Sequence, residues 1–180
     1  MSRNQDQDII ALLQHPGGHK EAFDLIVSQY HRKIYEHVRR MVIDHDDAAD
    51  VVQEVFIKIW KHLAGFRKDA GIYTWIYRIA SNEALNFIKA KQRRKLLPGR
   101  MQPFQPTASF QQTHEGEEIM NKLLKAVHSL PEKQQLVFHL RYFEELPYED
   151  ISAITHTSTG ALKASYHFAV KKIEEIINQV

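Results

Sequence analysis

The segment 74–95, TWIYRIASNEALNFIKAKQRRK, carries two kinds of side chain that handle nucleic acid. Arg78, Asn82, Asn86 and Lys89 recur four, four and three residues apart, and Arg93, Arg94 and Lys95 close the run. On a helix that spacing lines them along one face. Cations neutralise phosphates and release counterions, while a carboxamide presents a paired donor and acceptor to a base edge. The same pattern also suits a solvated helix whose basic end is favoured by the helix dipole. Just upstream, Phe66, Tyr73, Trp75 and Tyr77 cluster around a loop at 64–72 containing Gly65 and Gly71. Such aromatics can stack an unpaired base for about 1–3 kcal/mol, although Trp75 sits where core packing is the more ordinary role. Arg67, Lys68 and Asp69 of the loop are the better contact candidates.

A second stripe is acidic. Asp47, Asp50, Glu54 and Lys58 follow in steps of three or four, with Gln53 beside them. Carboxylates repel phosphates, so this face either solvates its helix or docks a basic protein surface. A third feature lies near the other end. A short helix over 147–154, a turn at His156, Thr157 and Ser158, and a long helix over 159–178 have helix-turn-helix spacing. Apolar periodicity turns Leu162, Tyr166, Val170 and Ile173 inward and leaves Thr159, Lys163, His167, Lys171 and Lys172 outside, with Ser158 at the turn. Helix pairs of this shape also occur in bundles that never meet DNA.

These faces need helices to hold them. Apolar residues recur three and four apart almost throughout, and no strict alternation bounded by turns appears, so the expected class is all-α. In the first half, residues 22–42, 46–63 and 74–95 give three helices around one core, with a short one at 8–14 before them. Trp60 falls on the apolar face of the second, and Thr74 can cap the third, which turns Trp75, Ile76, Ile79, Ala80, Ala84 and Ile88 inward. In the second half, 117–129 forms a helix with Ile119, Leu123, Leu124 and Val127 inward. It stops before Pro131, and the next helix carries Leu136, Val137, Leu140 and Tyr142. Residues 96–113 hold three of the six prolines and four glutamines without helical periodicity, which marks a flexible linker. Two small helical domains result, 1–95 and 114–180.

Charge divides along the same line. Of 24 lysines and arginines and 22 acidic residues, 16 and 12 fall in residues 1–95, and 7 and 10 in residues 114–180. The absence of cysteine excludes a disulfide scaffold, a thiolate zinc site and a cysteine nucleophile. Eleven histidines show no HExxH or similar ligand pair and no glycine-rich phosphate loop is present, so neither catalysis nor a metal or other cofactor is expected. No apolar run approaches the roughly 20 residues of a membrane helix, and residues 1–8 lack a signal peptide's apolar core. A cytoplasmic protein without direct membrane insertion is the expectation.

Taken in order, these motifs resemble a family. DVVQEVFIKIW at 50–60, TWIYRIASN at 74–82, LPEK at 130–133, LRYFE at 140–144 and YEDI at 148–151 are similar to bacterial RNA polymerase sigma factors of the extracytoplasmic-function (ECF) group. The likeness covers roughly residues 20–95 and 115–178, with no room for the further domains of housekeeping sigma factors. It implies a chain that binds core polymerase and directs promoter-specific initiation. Asp47, Asp50, Gln53, Glu54 and Lys58 would dock on the clamp coiled coil of the largest polymerase subunit. Arg67, Lys68, Arg78, Asn82, Asn86 and Lys89 would recognise and help open the minus-ten element. The second half would read the minus-thirty-five element through Ser158, Thr159, Lys163, His167 and Lys171 while contacting the polymerase flap. An anti-sigma factor is an implied partner. The alternative is a helix-turn-helix regulator with an N-terminal interaction domain.

The chain departs from the family pattern in two places. His156 stands where a glycine is usual, so the turn lacks the easiest left-handed residue. After Lys163, the family's serine, arginine, hydrophobe, histidine, arginine is replaced by Ala164, Ser165, Tyr166, His167 and Phe168. With those cations missing and the half net acidic, weak intrinsic binding of the second half to duplex DNA is expected. The 18-residue linker could span about 60 Å extended, approaching two duplex turns of roughly 34–36 Å. Tethering through polymerase then makes the second contact effectively intramolecular.

Overall fold

The computed structural model describes residues 3–66, 71–95 and 115–178, with side chains for 6–66, 71–94 and 119–178. Regular structure among the described residues is helical. Helices α1 (Arg3–Gln14), α2 (His19–Val42), α3 (His45–Leu63) and α4 (Ile72–Lys95) precede α5 (Glu115–His128), α6 (Glu132–Phe138), α7 (Tyr148–Thr155) and α8 (Thr159–Asn178). The chain divides into two compact units, Met1–Ala90 and Lys91–Val180. The linker expected at 96–113 lies outside the described residues, as do Arg67 and Lys68.

In the first unit, α2 buries Ala22, Ile26, Tyr30, Ile34, Val38 and Met41 at three- and four-residue intervals, and α3 answers with Val51, Val52, Val55, Ile59 and Leu63. Each fully buried Ile or Leu contributes about 1.5–3 kcal/mol. The short first helix proves longer than its apolar residues indicated. Helix α1 starts at Arg3, buries Ile9 completely and is pinned to α2 by the Tyr30 hydroxyl donating to the Asp6 carboxylate. The reversal between them requires glycine. Gly17 has φ of 86°, and a Cβ on Gly18 would come within 2.1 Å of the Leu12 carbonyl oxygen. Asp44 caps α3, its carboxylate accepting from the Asp46 and Asp47 amides at 3.0 Å.

Thr74 does not cap α4. The helix begins at Ile72, with the Trp75 amide donating to the Gly71 carbonyl, and Thr74 is buried within its first turn. Ile72 is fully buried, and helical continuation is what carries it inward. Nor does α4 bury a single narrow stripe. Tyr77 and Ser81 are buried alongside Ile76, Ala80 and Ala84, while Trp75, Ile79 and Ile88 are half-buried.

The second unit closes around Ala126, Val127, Leu130, Phe138, Ala169 and Ile173. Proline ends one helix and opens the next as expected, with the Gln135 amide donating to the Pro131 carbonyl. Beyond α6, residues His139–Phe143 form a wide π-type turn, in which the Glu144 amide reaches back to the His139 carbonyl. The extra residue shifts the register, so Leu140 is buried but Tyr142 is half-exposed rather than inward. Ile119 is also outward, at 68% exposure.

Candidate nucleic-acid interface

On α4 the buried set Ile76, Tyr77, Ala80, Ser81 and Ala84 leaves Asn82, Asn86 and Lys89 exposed on the opposite side, followed by exposed Arg93 and Arg94. Arg78 belongs to the same spacing but is half-buried. The face is held in place from behind. His37 Nε2 of α2 lies 3.1 Å from Ser81 Oγ in the core, and the His37 ring packs on Tyr77 at 5.1 Å. Lys58 Nζ of α3 meets Glu83 Oε1 at 2.6 Å, one residue from Asn82. An exposed carboxamide pair on a rigid helix suits directional contacts to bases.

The aromatic cluster divides. Tyr77 is fully buried and stacked on Tyr73 with centroids 4.3 Å apart, so it supports the core and offers no face to a base. Tyr73 in turn packs on Tyr30. Phe66 and Trp75, the latter in the first turn of α4, pair at 5.3 Å and are both half-buried.

On α3, Asp50, Gln53 and Glu54 are exposed and Asp47 is half-buried, giving a continuous acidic-polar stripe. Lys58 lies at its end but is engaged with Glu83. Beside the stripe, a groove of about 750 Å³ runs between α2 and α3, lined by Phe23, Val27, His31 and Tyr35 on one side and Val52, Gln53, Phe56 and Trp60 on the other. Phe23 meets Trp60 edge-on at 5.0 Å, and His31 stacks on Phe56 at 5.6 Å. Trp60, expected inward, is 50% exposed. Its position two turns after Gln53 places it on the line of the polar stripe, a signal that its apolar character masks.

In the second unit, α7 and α8 meet at a turn where His156 takes the left-handed conformation, φ 53° and ψ 37°. Ser158 starts α8, its carbonyl accepting from the Leu162 amide at 3.0 Å and its hydroxyl from the Ala161 amide at 3.4 Å. Leu162, Ala169 and Ile173 are buried and Tyr166 stacks on Phe138 at 5.8 Å, which leaves Lys163, His167, Phe168, Lys171 and Lys172 exposed. Ser158 is exposed and Thr159 half-buried. Lys163 Nζ sits 5.7 Å above the Tyr148 ring, which also receives the Arg141 guanidinium at 5.1 Å. That ring therefore positions one cation of the presented face.

Comparison with known proteins decides what these faces belong to. Sigma-70 region 2 matches residues 26–94 and sigma-70 region 4 matches residues 120–173. The RNA polymerase sigma-H factor of Pseudomonas aeruginosa is 33% identical, over 98% of this chain and 96% of that protein. The ECF RNA polymerase sigma-E factor of Haemophilus influenzae is 34% identical, over 96% and 95%. The chain belongs to the ECF sigma factors. Its fold agrees: a solved sigma factor RpoE from Bartonella quintana, in complex with the anti-sigma factor NepR, superposes with a TM-score of 0.70 over 98% of each chain at 18% identity.

As a sigma factor the protein directs promoter-specific initiation by RNA polymerase, and the match of its first half to region 2 disfavours the alternative of a regulator with an unrelated interaction domain. The candidate residues lie on α3 and α4 in the first unit and at α8 in the second. Asp47, Asp50, Gln53 and Glu54 share α3, and Asn82, Asn86, Lys89 and Arg78 share α4. Lys163, His167 and Lys171 share α8 with Thr159, and Ser158 immediately precedes it. No cluster of metal-ligating side chains occurs among the described residues, and no described helix is long and apolar enough to cross a membrane.

Proposed function

We propose that this sigma factor divides its work among three surfaces. The α3 stripe of Asp47, Asp50, Gln53 and Glu54, with Trp60 and the adjoining groove, docks on the clamp coiled coil of the largest polymerase subunit. Lys58 fixes α3 to α4 through Glu83. The α4 face of Asn82, Asn86, Lys89 and Arg78, with Arg67 and Lys68, recognises the minus-ten element and helps to open it. The α7–α8 pair reads the minus-thirty-five element as duplex through Ser158, Thr159, Lys163, His167 and Lys171, while its unit contacts the polymerase flap. Residues 1–95 and 114–180 act as the two domains and 96–113 as their tether. The protein works in the cytoplasm, and an anti-sigma factor restrains it by covering the same surfaces.

The observation that carries this reading is the opposed character of two adjoining exposed faces in one unit, acidic-polar on α3 and amide-basic on α4, joined by the Lys58–Glu83 pair. An acidic face repels DNA and attracts a basic protein surface, while its neighbour does the converse. Charge reversal tests it. In the full chain, Asp50→Lys with Glu54→Lys alters exposed positions only and is expected to abolish capture of core polymerase. Capture at the wild-type level overturns the assignment.

A further inference from the structure

The outward face of α8 is not uniformly polar. Gly160, Ala161 and Ala164 occupy its first two turns, all exposed, and a Cβ added at Gly160 would meet nothing within 4 Å. Packing therefore does not dictate small residues here. One large apolar side chain follows on the same face, Phe168, one turn after Ala164 and 59% exposed. Lys171 and Lys172 lie three and four residues beyond it, Lys163 flanks the earlier turns, and exposed Glu174 and Glu175 follow only after the lysines. A helix with a low-profile start, one projecting ring and cations at its borders can seat deeply in a major groove with its lysines at the phosphates. The apolar feature that base edges display there is the C5-methyl of thymine.

We propose that Phe168 is a specificity-determining residue that reads thymine methyl groups in the upstream promoter element. The proposal rests on the assignment of α8 to duplex reading and names what that helix selects. The flanking cations favour DNA as the occupant over an apolar protein surface, since burying Lys163, Lys171 and Lys172 against such a surface would leave their charges unpaired.

The test uses holoenzyme assembled from core polymerase and the full chain. Selection from promoters randomised in the upstream duplex is expected to enrich thymine at one or more positions. Replacing those thymidines with deoxyuridine removes only the methyl and keeps the base pairing. Wild-type holoenzyme should lose about fourfold in affinity per contacted methyl. Phe168→Ala holoenzyme should bind thymidine and deoxyuridine promoters equally, with core capture unchanged. Upstream preference without a deoxyuridine penalty, or the same penalty in Phe168→Ala, overturns the proposal alone. Absence of any upstream preference overturns the duplex-reading assignment and the proposal with it. Loss of core capture by Phe168→Ala would assign the ring to a protein contact and also overturn it.

Discussion

His156 is the position where this helix-turn-helix can be improved, and the gain can be worked from its geometry. With φ of 53° and ψ of 37° it holds the left-handed conformation, and its side chain is exposed. An L-residue there costs roughly 1–2 kcal/mol that glycine avoids. Glycine gives back about 0.4–1 kcal/mol through the greater freedom of the unfolded chain. His156→Gly should therefore stabilise the α7–α8 pair by about 0.5–1 kcal/mol, whereas His156→Val, β-branched in the same conformation, should destabilise it by at least as much. Hydrogen exchange of α7 and α8 amides in the full chain isolates this unit from the other. The expected order of protection is Gly over His over Val, with Gly roughly two- to fivefold above wild type. Equal protection in all three variants, or a Gly variant below wild type, would refute the reasoning.

Three further outcomes follow from the first unit. Burial, then the bond to Asp6, holds the Tyr30 phenol above its ordinary 10.0, so the unfolded chain releases this proton first and stability falls as pH rises past 10. The slope approaches about 1.4 kcal/mol per pH unit, and Tyr30→Phe should flatten it in alkaline denaturation. The Lys58–Glu83 pair, 41% and 16% exposed, lies between exposed and buried cases, so Glu83→Gln should cost roughly 1–2 kcal/mol in chemical unfolding; no change would make the contact incidental. Asn82→Ala should reduce promoter discrimination by about 1–3 kcal/mol in start-site competition while core capture stays intact. Undiminished discrimination would remove Asn82 from the reading face.

The long amphipathic helices were legible because burial on one side imposes a three- and four-residue period, and the α7–α8 pair because a short helix, a few-residue turn and a longer helix follow one another at helix-turn-helix spacing. The acidic stripe and the Asn82–Asn86 line were legible for the same reason: exposure follows once the apolar side is known. What composition hides is packing on more than one side. Tyr77 looks like a surface aromatic, yet it packs between Tyr73 and His37, because α4 is buried across a wider arc than an amphipathic stripe requires. Trp60 and Ile119 fail in the opposite direction, apolar residues left 50% and 68% exposed. Tyr142 was displaced by the π-type turn, a backbone event with no signature in residue type. The meaning of the acidic stripe was not a matter of periodicity at all, since solvation and docking demand the same residues.

The most direct test of the account is the mapping of RNA start sites made by core polymerase on a promoter library, with and without this chain. Two weak grips joined through polymerase predict a discrete set of starts, each below a pair of spaced elements, that appears only when the chain is present. The same transcripts in both reactions would contradict it.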